Sequence, residues 1–72
     1  MTVQQIREAV ETRPFRPFTL HVPGGRNAHV PHEDFISIHP TGRTVVVHLQ
    51  EGGSRILDTM LVTELEFAGA EV

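Results

Sequence analysis

The chain contains no cysteine, lysine, tryptophan or tyrosine. Without cysteine there is no disulfide to staple a small core and no thiolate for a metal centre. Without lysine, all six positive charges are arginines, set against nine acids for a net charge of −3. A nucleic-acid-binding domain usually carries a basic stripe. Here the arginines are scattered as Arg7, Arg13, Arg16, Arg26, Arg43 and Arg55, so bulk electrostatics gives no support for a phosphate partner. No apolar run approaches the ~20 residues that span a bilayer. Met1-Thr2-Val3-Gln4-Gln5 lacks the basic and apolar regions of a signal peptide. The expectation is a cytoplasmic protein with no membrane partner.

Seventy-two residues make a single small domain, 1–72. A core of that size supplies only ~3–5 kcal/mol unless something reinforces it. With disulfides excluded, self-association is the simplest reinforcement.

The hexapeptide Arg13-Pro14-Phe15-Arg16-Pro17-Phe18 writes one tripeptide twice. Proline fixes φ and restricts the residue before it, so a helix ends by Thr12 and residues 13–17 form an extended joint. Upstream, Thr2 and Gln5 match a capping box, and Val3, Ile6 and Val10 share one face of a helix over about 2–12. Downstream the period falls to two. Alternation and turn residues predict strands over about 18–22, 26–30, 35–39, 44–50 and 55–67, with a break near 59–61. Around Pro23-Gly24-Gly25 a left-handed Gly25 sets Leu20 opposite Ala28 and Phe18 opposite Val30. The expected core is Val3, Ile6, Val10, Phe15, Phe18, Leu20, Val22, Val30, Ile36, Ile38, Val45, Val47, Ile56, Leu65 and Phe67. Residues 69–72 are expected to fray. The fold class is α+β: a short N-terminal helix packed on a small, strongly bent antiparallel sheet or barrel of about five strands.

Four stretches, Arg13 to Phe18, His32 to Phe35, Gly42 to Val47 and Leu61 to Glu66, carry a resemblance over most of the chain. It resembles uncharacterised short bacterial proteins with an Arg-Pro-Phe-x-Pro-Phe opening, a His-x-x-Phe middle, a valine strand and a Leu-(Ile/Val)-Thr-x-(Leu/Ile)-Glu close. That resemblance implies no activity. In architecture the chain is similar to Sm-like or SH3-like barrels, with Gly25 in the first hairpin and Asp34-Phe35 before the third strand. Sm-like proteins assemble as rings that bind RNA. Two features depart from them: Pro31 cuts the second strand short, and Asp58-Thr59 stands where the relatives carry a basic or histidine-containing tip.

Chemistry-bearing motifs are few. Ser37 and Ser54 lie in no nucleophile motif, and Gly24-Gly25 and Gly52-Gly53 are hairpin turns, not phosphate loops. No enzyme and no cofactor are expected. Of the five histidines, His21, His29 and His32 lie where a metal could be gripped. Without a helical His-x-x-x-His the pattern favours ordinary surface residues, and no metal is expected. Arg13, Arg16, Arg26, Arg43 and Arg55 flank turns or the joint and are the candidate anion-binding residues. Phe35, Val46, His48, Leu57 and Val62 are expected on the outer face as an interface. These features predict a binding or assembly module that forms a homo-oligomer or docks a partner protein. Sm-like binding of single-stranded RNA is the alternative, and a small metal-binding protein using surface histidines the second.

Overall fold

The computed structural model describes residues 1–69. Most of the stretch expected to fray therefore lies outside the described residues. Helix α1 spans Val3–Glu11. At its start the Gln5 Oε1 accepts from the Thr2 amide (3.3 Å) and hydroxyl (3.1 Å), the back-reaching half of a capping box. Three turns do not hold alone in water. This helix is held by burying Ile6 (0% exposed) and Ala9 (2%), with Val3 and Val10 half-buried at the margins of the stripe. The Met1 ammonium donates to the Val62 carbonyl at 2.9 Å and ties the start of the helix to the far end of the chain.

Six strands follow: β1 (Phe18–His21), β2 (Ala28–Val30), β3 (Ile36–Ile38), β4 (Thr44–His48), β5 (Ser54–Asp58) and β6 (Glu64–Phe67). They form two three-stranded antiparallel sheets, ordered β2-β1-β6 and β3-β4-β5, not a closed barrel. Pro31 ends β2, a 3-10 turn over Glu33–Phe35 intervenes, and β3 opens the second sheet. A second 3-10 turn, Thr59–Leu61, carries the chain from β5 back to the first sheet, where β6 pairs with β1. The turn falls at the break expected near 59–61, and the two parts of the expected strand over 55–67 lie in different sheets. Among the described residues no helix is long and apolar enough to cross a membrane.

The first hairpin has the expected register, Phe18 opposite Val30 and Leu20 opposite Ala28. Its left-handed residue is Gly24 (φ +66°), not Gly25. The Gly25 amide donates to the Val22 carbonyl (3.2 Å), so Pro23 and Gly24 are the central pair of the turn, the type II pattern. The joint also differs from one extended run: the chain bends at Arg13-Pro14, whose peptide bond is cis.

Ile6, Phe18, Leu20, Val30, Val45, Val47 and Val62 are fully buried. Phe15 and Phe67 pack against Phe18 at ring-centroid distances of 5.8 and 6.2 Å. Three expectations reverse. Ile56, expected inside, is 74% exposed, whereas Leu57 and Val62, expected outside, are 9% and 0% exposed. Register explains the first two. Val45 and Val47 face the core, and Leu57 lies opposite Val45 while Ile56 lies opposite Val46, on the other face. The 3-10 turn explains the third, since it interrupts the alternation and β6 starts only at Glu64. Phe67, near the chain end, is 37% exposed. Among the described residues Thr59 is the one buried polar residue, its hydroxyl donating to the Gly42 carbonyl at 2.8 Å.

Candidate functional site

The arginines do not converge on a common pocket; three of them, Arg13, Arg16 and Arg55, serve the fold. Arg13 pairs with Glu33, and its Nη1 donates to the Val10 and Thr12 carbonyls at 3.1 and 3.0 Å, capping the end of α1. Arg16 lies over the Phe67 ring, 4.7 Å from the centroid, and donates to the Ala68 carbonyl. Arg55 shares the inward phase of Leu57 at the end of β5. Its two terminal nitrogens donate to the Asn27 carbonyl (2.8 Å) and the Arg26 carbonyl (2.7 Å), clamping the second sheet to the first hairpin. Arg43 stands 3.9 Å from Asp58, both well exposed. Among the described residues the exposed Arg26 side chain has no hydrogen bond or ion pair.

The expected interface residues are distributed otherwise than their alternation implied. Phe35, Val46 and His48 are half-buried, with His48 Nδ1 3.2 Å from the Ser54 hydroxyl. Leu57 and Val62 belong to the core. The exposed apolar surface instead comes from Ile56 (74%), Met60 (70%) and Leu61 (58%). Ile56 is the middle residue of β5, the outer strand of its sheet, and Met60 and Leu61 form the turn that continues it. An outer strand presents unpaired backbone donors and acceptors along its free side. Edges of stable monomers are blunted by charged or inward-pointing charged side chains, proline or a bulge; β5 carries such charges at Arg55 and Asp58 but presents the exposed Ile56 between them.

The histidines divide. His32 precedes the first 3-10 turn and lies beside the Phe35 ring, with centroids 6.3 Å apart. His29 Nδ1 is 3.2 Å from the Thr19 hydroxyl. His21 meets residues that sequence reasoning did not connect to it. It lies opposite Glu64 in the β1–β6 ladder, its Nε2 is 2.9 Å from Glu66 Oε1, and one ligand atom from each of the three residues lies within 4.8 Å of the others. Glu64-x-Glu66 is legible as two acids on one strand face. Their partner strand is not legible, because β6 pairs with a strand more than forty residues earlier.

A shallow cleft of about 350 Å³ lies between α1 and β6, lined by Met1, Gln5, Glu8, Ala9, Leu65 and Phe67 among others. Glu8 is the one carboxylate among the residues that line it. No family model, curated protein or solved structure matches the chain.

Proposed function

We propose that the chain is a non-enzymatic assembly module that associates with a second copy of itself along β5 and the turn that follows it. The observation that carries this reading is the exposure of Ile56, Met60 and Leu61 within six residues of chain, on the free edge of a three-stranded sheet. Exposed large apolar groups beside an open edge mark association surfaces. The edge is also self-complementary. Pairing two β5 strands antiparallel about Ile56 sets Ile56 opposite Ile56 of the copy, Ser54 opposite Asp58 and Arg55 opposite Leu57, with no like charges facing. A barrel-like shape of the Sm-like or SH3-like kind is part of the same proposal. Its support is that the last strand returns to pair with the first and that β2 lies against β4.

Sedimentation over a concentration series tests the reading. The parent chain should associate, and Ile56→Asp should be monomeric at the same concentrations with an unchanged far-ultraviolet circular dichroism spectrum. Each two-fold interface contains two copies of Ile56. At ~1.5–3 kcal/mol per buried side chain, the loss corresponds to a Kd weaker by ~10²–10⁴-fold. A parent that stays monomeric at high concentration refutes self-assembly and leaves this edge to a foreign strand.

A further inference from the structure

We propose that the outer face of β1 and β6 binds one first-row divalent cation of the Zn²⁺ class, held by His21, Glu64 and Glu66. This site lies on the other sheet from the assembly edge and does not rest on that reading. The ladder places His21 opposite Glu64, and Glu66 follows two residues on, so all three side chains leave the same face. One ligand atom from each lies within 4.8 Å of the other two, and the His21–Glu66 pair is at 2.9 Å. Metal–ligand bonds of ~2.0–2.2 Å in tetrahedral geometry put ligand atoms ~3.3–3.6 Å apart. The wider pairs, those with Glu64, close to that spacing by rotation of the Glu64 carboxylate, whose side chain is exposed and has room to turn.

The backbone beneath the site is held. The His21 carbonyl accepts from the Thr63 amide (2.9 Å) and from the Thr63 hydroxyl (3.3 Å), fixing the approach of β6 to β1 at this row. A site on paired strands keeps its ligands in register better than one on a loop. The His21 side chain is only 26% exposed, so its orientation is set by the sheet. Two carboxylates also bring like charges close together on one face. A dication balances both, and the imidazole nitrogen completes a three-ligand set with outward positions for water.

The donor set selects the ion. One imidazole with two carboxylates suits Zn²⁺, Co²⁺ or Mn²⁺, whereas Mg²⁺ prefers oxygen ligands and retains its waters, and the soft ions want thiolates. His29, engaged with the Thr19 hydroxyl, stands one row away and is outside the set.

Isothermal titration of chelator-stripped chain with ZnCl₂, with MgCl₂ as the second arm, tests the assignment. One Zn²⁺ should bind per chain, and Mg²⁺ should bind at least about tenfold more weakly. His21→Ala and Glu66→Gln should each weaken Zn²⁺ by at least ~10-fold, the loss that even a disturbed partner of a ligand produces. His29→Ala should leave binding unchanged. In the parent, Zn²⁺ should move the His21 ring resonances by NMR and leave those of His39 and His48 in place. All three substituted residues, His21, Glu66 and His29, are surface or half-buried, so unchanged circular dichroism spectra certify the variants. No Zn²⁺ binding by the parent reduces the trio to a surface hydrogen bond and overturns the proposal. Binding that survives His21→Ala, or equal binding of Mg²⁺, overturns it as well.

Discussion

Two adjacent residues of β5 offer a sharp test of the fold, because sequence alternation and structure assign them opposite faces. Leu57 is 9% exposed opposite Val45, and Ile56 is 74% exposed opposite Val46. Leu57→Ala removes a buried isobutyl group and leaves a cavity, at a cost of about 2–5 kcal/mol. Ile56→Thr keeps the β-branched shape that strands favour and changes only an exposed surface, for an effect within roughly 0.5 kcal/mol. For a domain of this size each kcal/mol shifts Tm by about 4–8 °C. Leu57→Ala should therefore lower Tm by at least ~8 °C, and Ile56→Thr by less than ~4 °C. A core of this size holds only ~3–5 kcal/mol, so the Leu57 variant should already be partly unfolded in water. Urea and thermal melts followed by circular dichroism measure both, run dilute enough that association adds nothing. Equal losses, or a larger loss at Ile56, would refute the strand phase and with it the exposed edge on which self-assembly rests.

Phe18→Ala removes the ring packed between Phe15 and Phe67 at zero exposure, and should cost ~3–5 kcal/mol, enough to abolish cooperative unfolding. Arg13→Ala, which breaks an exposed pair with Glu33, should cost under ~1 kcal/mol; the reverse order in thermal melts would make the repeated tripeptide a recognition sequence. Single-stranded RNA should not be retained at low ionic strength, because Arg13, Arg16 and Arg55 are committed within the fold. Salt-sensitive retention that weakens in Arg26→Ala or Arg43→Ala would overturn that expectation.

Local rules made several elements legible. The capping residues and apolar spacing mark α1, the prolines mark its end, and the first hairpin's register follows from matching apolar residues across a glycine turn. Side-chain alternation also identified Phe18, Leu20, Val30, Val45 and Val47 as inward. Each of these depends on neighbours a few residues apart. The phase of β5 depends instead on where the loop after β4 releases the chain. With Gly52 at φ +113°, that loop sets His48 opposite Ser54 and turns Ile56 outward. With apolar residues at both 56 and 57 alternation fits either phase, and the one that puts Ile56 inward is not the one the structure has. Val62 became core because a 3-10 turn shifted the phase by a fraction that no period-two pattern contains.

The candidate sites divide along the same line. Composition by itself excluded thiolate chemistry and disulfides, and the scattered arginines predicted the absence of a basic stripe, since both follow from residue type and order. Only the tertiary structure decided that Arg55 grips the carbonyls of Arg26 and Asn27 and that His21 meets Glu64 and Glu66. Those contacts span about thirty to forty-five positions. They exist because the second 3-10 turn returns β6 to β1, a pairing set by the shared burial of Leu20, Leu65 and their neighbours rather than by any local propensity.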